Sequence, residues 1–320
     1  MHASLKPARI RVIAVLVILG FGGLGIALAS GGDTSHQVTV ATSTSRVTTT
    51  VPASTTAATT TSRAPATTAA PATTSTSSPP PTTATPTVAP ATTAPFVATG
   101  VGSLAGKTIA IDPGHDGGNY AHTSEISRPI FIGTQTRACD TTGTATDGGY
   151  TEAAYALDVS LRLRVVLAAA GANVVMTRAT NDGWGPCIDE RAAIGNRAHA
   201  DAVISIHADG GPTSGRGFHV LVPALVTGYT DDIYSASHRL GVDVRDAFLA
   251  TGMPTSTYYA TDGIAERSDL GGLNLSNVPK VFIETGNMRN STDVALLESA
   301  DFRQREAQAL ATALGHFLSA

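Results

Sequence analysis

Residues 109–118 read IAIDPGHDGG, and they set the architecture. An apolar, β-branched run reaches a carboxylate and a proline. Glycines then flank a single imidazole, His115. A short apolar run bounded by turn residues reads as a buried strand. His115 then lies at the open end of that strand. Taken alone, a turn that contains a histidine accounts for the stretch equally well, so the rest of the chain decides.

Working outward, the first strand covers 107–112. The glycine-rich, polar segment 113–150 is too long for a plain connection and is a candidate functional loop. A helix is expected over 152–170, with apolar positions at 154, 157, 161, 165 and 168, and Gly171 stands where a C-terminal cap belongs. Strands follow over 173–177, 202–208, 217–223 and 280–284. Helices are expected over 189–199, 231–250, 291–299 and 301–318. Nearly all-apolar strands that alternate with helices specify an α/β domain, with a mostly parallel sheet covered by helices on both faces. In open α/β sheets, ligands bind beyond the carboxyl ends of the strands. His115, His207 and Glu284 end three separate strands.

The composition is uneven. Residues 1–99 carry 5 basic and 1 acidic side chain, and residues 100–320 carry 16 basic and 24 acidic. The acidic C-terminal part has no basic stripe, which excludes nucleic acid as a partner. At the N-terminus, Lys6, Arg9 and Arg11 precede the uncharged VIAVLVILGFGGLGIALA (12–29), and Ala27-Leu28-Ala29 fits a small-residue cleavage pattern. Residues 1–30 are therefore a signal peptide or an N-terminal membrane anchor, with membrane contact through 12–29 in the second case. Both send the chain out of the cytoplasm. Residues 31–99 are a disordered Thr/Pro/Ala-rich linker, typified by TTTVPASTTAATTTSRAPATTAAPATTSTSSPPPTTATP. The folded domain is 100–320. The two cysteines, Cys139 and Cys187, are expected to be bridged in an exported chain.

Two imidazoles and a carboxylate around an open position form a common catalytic zinc set. Such a site needs a second carboxylate as general base and acid. Glu284 is one of the two. Asp112, Asp116, Glu125, Glu152 and Asp209 are candidates for the other, and spacing does not choose among them. Glu152 opens a helix just after 113–150, although an acidic residue there is also favoured by the helix dipole alone.

DPGHDGG (112–118), Glu152 ahead of LDVSLRLRVVLAAAGANVVMTR (157–178), SIHAD (205–209) and PKVFIETGNMRN (279–290) together resemble the zinc-dependent N-acetylmuramoyl-L-alanine amidases of the Amidase_3 type. The resemblance spans almost all of 104–318. It implies a sheet of about six strands in a single domain. It implies one zinc held by His115, Glu152 and His207, with Glu284 as the catalytic carboxylate. The implied substrate is peptidoglycan or its muropeptide fragments, cut between muramic acid and L-alanine. RSDLGGLNLSNVP (267–279) is similar to the small secreted actinobacterial-type members, which also tend to have a bridged cysteine pair. No long helical insert of the kind that plugs regulated members interrupts 201–280, so an open site is expected.

Arg267 and Asn274 are expected to line the substrate groove, and Asp209 to orient a ligand histidine. Asp112 is expected to shape its turn. Trp184 is read as packing, with sugar stacking as its alternative. His122, His199, His219, His238 and His316 are read as structural or surface residues. The chain is expected to be a monomer. A zinc peptidase acting on stem peptides and a non-catalytic wall-binding module are the competing readings.

Overall fold

The computed structural model describes residues 101–320. The export segment 1–30 and the linker 31–99 lie outside the described residues. In chain order the elements are β1 (Thr108–Pro113), α1 (Thr123–Ile126), β2 (Pro129–Phe131), β3 (Thr136–Ala138), α2 (Glu152–Ala169), β4 (Asn173–Met176) and α3 (Ile188–Arg197). There follow β5 (Ala202–Asp209), β6 (His219–Pro223), α4 (Tyr234–Leu249), β7 (Ile264–Arg267), α5 (Gly271–Asn274), β8 (Lys280–Asn287), α6 (Ser291–Leu297) and α7 (Ala300–Ser319). Among the described residues, no helix is long and apolar enough to cross a membrane.

Six strands form one sheet in the order β4–β1–β5–β8–β6–β7. β4, β1, β5 and β8 are parallel, while β6 runs antiparallel to β8 and pairs with β7 in parallel. The three strands expected to carry the site, β1, β5 and β8, are therefore adjacent at the centre of the sheet.

Period-two alternation gives each strand two jobs. Ile109, Ile111, Ile204, Ile206, Val281 and Ile283 join Leu163 of α2, Val244 of α4 and Leu310 of α7 in the main core. Each such fully buried aliphatic side chain contributes about 1.5–3 kcal/mol. The alternate positions face the other way. There Ala110 and Val203 form a smaller cluster, and Gly195 lets α3 approach Val203 closely. Further along that second face the alternate positions are polar: Asp112, Ser205, His207, Lys280 and Glu284.

Asp112 is buried and does more than shape a turn. It accepts hydrogen bonds from Thr177 Oγ1 at 2.8 Å and from Arg191 Nη1, Ser205 Oγ and Lys280 Nζ, each at 2.9 Å. Burial alone would raise its carboxyl, but the Lys280 and Arg191 charges outweigh it and hold the group well below the usual carboxylate range.

Four features differ from the sequence expectations. α2 forms as expected, but it buries Ala153, Tyr155, Ala156, Val159, Leu163, Val166 and Leu167, and leaves Val165 exposed. The helix carries Ala, Leu and Val on nearly every side, so its apolar spacing did not single out a face. The sixth strand is β7, which ends in Arg267 and lies where no strand was expected from the sequence. Segment 113–150 contains the β2–β3 hairpin. β8 continues to Asn287, three residues beyond Glu284.

Cys139 and Cys187 form a disulfide. It ties the 113–150 segment to Cys187, the residue that precedes α3. Closing a loop of this size contributes about 4 kcal/mol in the chain-entropy model.

Candidate metal centre

The carboxyl ends of β1, β5 and β8 meet at one edge. His207 on β5 stands directly opposite Glu284 on β8 in the parallel register, and Pro113 opposite Ile206 carries the chain on to His115. Gly114 is required here for contact, since a Cβ on it would lie 2.4 Å from His207 Cε1. His115 adopts a φ of 52°, a left-handed backbone that costs a non-glycine residue about 1–2 kcal/mol. Strain of this kind is typical of residues held for function.

Glu152 begins α2, behind an N-cap at Thr151 whose hydroxyl accepts from Ala154 N. The side chain turns inward. Its Oε1 lies 2.8 Å from His207 Nδ1 and 3.2 Å from His115 Nε2, and its Oε2 accepts from Thr144 N at 2.9 Å. His115, Glu152 and His207 each offer one ligand atom, all within 4.8 Å of one another. The ring of His115 stands edge-on to His207, which stacks on Phe282.

The local field suits a cation. Burial by itself would push His115 down, but the Glu152 charge and the Asp140 bond outweigh it and raise the ring to about 10. Glu152 is held below the usual range by the two imidazoles, against the opposing effect of burial. Two nitrogens and one oxygen converging where positive charge is favoured match the donor set of a catalytic zinc. Glu284 is different. Burial, and then the charges of Glu152 and Asp209, push its carboxyl well above the usual range. Its Oε2 is buried without a hydrogen-bond partner.

These groups line a cavity of about 710 Å³. Arg267 lines it too, paired with Asp269 at 2.6 Å, and Asp269 also meets Arg137 at 3.7 Å. Asn274 is not among the lining residues. It is buried, and its amide donates to the carbonyls of Ile132 and Ser268. Asp209 bonds neither His115 nor His207. It accepts from Tyr258 Oη and Gly210 N.

The carboxylate that does orient a ring is Asp140, whose Oδ1 lies 3.0 Å from His115 Nδ1. Arg191 holds its other oxygen at 3.1 Å. Neither residue stood out in the sequence. The only available signal for Asp140 was its position next to Cys139. His219 is buried opposite Glu284 across β6–β8, and burial lowers it to about 4, so it is neutral at ordinary pH.

A family model described as N-acetylmuramoyl-L-alanine amidase matches residues 109–316. The amidase Rv3717 of Mycobacterium tuberculosis is 41% identical over 218 residues, covering 68% of this chain and 88% of that protein. The crystal structure of the amidase Ami1 from Mycobacterium smegmatis, also 41% identical, superposes with a TM-score of 0.64 over 68% of this chain and 99% of that one. The apo form of Ami1 from Mycobacterium abscessus, at 41% identity, gives 0.63 over 67% and 99%. On this evidence the chain belongs to the Amidase_3 family of N-acetylmuramoyl-L-alanine amidases.

Proposed function

We propose that the domain at 100–320 hydrolyses the amide between the lactyl group of N-acetylmuramic acid and the L-alanine of the stem peptide. In this reading His115, Glu152 and His207 hold one zinc, and Glu284 moves the proton. The observation that carries it is the convergence of three ligand atoms within 4.8 Å beside a carboxyl oxygen that is buried and unpartnered.

When bound, zinc would act as a Lewis acid, polarising the substrate carbonyl and acidifying water. The protein's part is positional and protolytic. An ionised Asp140 only accepts, so His115 Nδ1–H donates to it and Nε2 is the nitrogen left to meet a metal. Glu284 takes a proton from the attacking water. It then delivers that proton to the L-alanine nitrogen as the C–N bond breaks. Burial and the neighbouring carboxylates favour protonated Glu284, which suits the second step, and the charge of a bound cation would favour the ionised form that the first step needs.

Residues 1–30 act in this reading as the export segment, cleaved or retained, and 31–99 as a spacer to the wall. The test uses the full chain. Zinc is counted per chain, the protein is incubated with muramyl dipeptide and with peptidoglycan, and products are identified by mass spectrometry. One zinc and a released peptide with a free L-alanine amino group are expected. Zinc with a cut inside the peptide would make the chain a stem-peptide peptidase. Neither zinc nor cleavage would make it a wall-binding module.

A further inference from the structure

A second cavity, of about 330 Å³, lies beyond the wall formed by Gly143 and Thr144, residues that line both cavities. Its other lining residues include Asp116, Tyr120, Thr142 and Thr151. Asp116 is 5% exposed, and its Oδ1 has no hydrogen-bond partner. Leaving a buried polar atom unpaired costs about 1–3 kcal/mol, which a donor from a ligand would recover. Tyr120 is 75% exposed, and Trp184, on the neighbouring loop, is 43% exposed with its ring stacked on His122.

These aromatic rings are exposed but carried on tied-down backbone. Gly118 N donates to Gly183 O, and Gly117 N to Asn181 Oδ1. The buried Asn119 side chain bonds both Gly185 N and Thr141 O, locking three loops together. A Cβ on Gly118 would lie 2.2 Å from Gly183 O, so the two loops touch backbone to backbone. The patch is preformed.

Its chemistry distinguishes it from the main cavity. Among the described residues no cationic side chain lines the second cavity, whereas Arg137 and Arg267 line the first. Anionic peptide groups are thus better served on the first side. Aromatic faces, threonine hydroxyls and a carboxylate oxygen that lacks a donor suit an uncharged, hydroxyl-rich ring. Resting on the amidase reading, we infer that the Asp116–Tyr120–Trp184 surface is a saccharide subsite. It holds β-1,4-linked N-acetylaminosugars that flank the muramic acid being cut, with sugar rings against the aromatic faces and a sugar donor on Asp116.

Trp184 is the only tryptophan in the chain and so reports on the patch directly. Tetra-N-acetylchitotetraose, which carries no peptide, is titrated into the full zinc-loaded chain while fluorescence is followed. A saturable change is expected, weakened about five- to tenfold in Tyr120→Ala and also weakened in Asp116→Asn. In kinetics, Tyr120→Ala is expected to raise KM for polymeric peptidoglycan by about five- to tenfold, the loss of one aromatic contact. Its kcat on the polymer, and its turnover of muramyl dipeptide, which has no flanking sugar, are expected to stay unchanged. A silent titration together with an unaltered polymer KM overturns the subsite. Failure of the amidase reading looks different: the wild type would bind chitotetraose yet leave muramyl dipeptide and peptidoglycan uncut.

Discussion

Asp140 Oδ1 faces His115 Nδ1 at 3.0 Å, and together with the Thr141 carbonyl at 3.1 Å it holds the ring with Nε2 turned toward Glu152. Arg191 grips both Asp140 and Asp112, so the ion network under the sheet extends to the His115 ring. Removing such an outer partner typically lowers metal affinity by roughly 10–100-fold. Asp140→Ala is expected to fall in that range when zinc is competed against a chromophoric chelator. Asp209→Ala, which removes bonds to Tyr258 and Gly210 only, is expected to leave affinity unchanged. Equal losses in the two variants would refute the assignment.

Glu284 and His207 are neighbours across β5 and β8, yet their variants are expected to separate. Glu284→Gln keeps the shape and removes the proposed proton carrier, a role worth about 10²–10⁴-fold in rate. It is expected to retain zinc and lose turnover by that order. His207→Ala removes a proposed ligand atom and is expected to lose the metal itself. Zinc content and muramyl dipeptide turnover, measured on the same preparations, check both. A Glu284→Gln protein that arrives without zinc would make Glu284 a ligand.

Strand ends and apolar runs made much of this legible. The strands with His115, His207 and Glu284 were readable because burial on both faces leaves a continuous apolar signature with a polar residue at its end. Glu152 was not separable from other acidic residues, because its inward turn depends on Thr144 and two rings that are distant in sequence. Asp140 and Arg191 pair across 51 residues inside loop and helix, and no local period encodes such a contact. The buried face of α2 was misread because apolar side chains ring the helix. β7 was missed because four residues ending in Glu266 and Arg267 carry little apolar signal.

Asp112 is bonded to both Lys280 Nζ and Arg191 Nη1 at 2.9 Å. Removing one member of a buried charge network leaves the others uncompensated, at about 3–5 kcal/mol. Asp112→Asn is expected to lose stability of that order in denaturant unfolding of the metal-free protein. Lys280→Met is expected to lose less, since Asp112 keeps Arg191, Ser205 and Thr177. The reverse ranking would show that Lys280, not Asp112, is the group the others depend on.

Glu306 is buried, and both its oxygens lie 2.8 Å from Tyr155 Oη. Tyr155 Oη lies 2.6 Å from Thr285 Oγ1, which donates to the carbonyl of His207 at 3.0 Å. Proton counting favours one state. With Glu306 protonated, Glu306 donates to Tyr155, Tyr155 to Thr285, and Thr285 to His207, so every contact has its hydrogen. With Glu306 ionised, Tyr155 turns to it and the Tyr155–Thr285 contact has none. Burial pushes the carboxyl up to about 8 from an ordinary 4.5, against the pull of the Tyr155 bond and the Arg303 charge. The folded state then binds this proton more tightly than the unfolded state. Its contribution to stability is complete below pH 4.5 and is lost as pH rises through about 8. Glu306→Gln keeps a donor for Tyr155 and no longer titrates. The stability of the variant minus that of the wild type is therefore expected to grow from pH 4.5 to 8.5, by a few kcal/mol. Urea unfolding of both proteins at several pH values measures it, and a difference that stays flat with pH would mean that Glu306 is ionised in the fold.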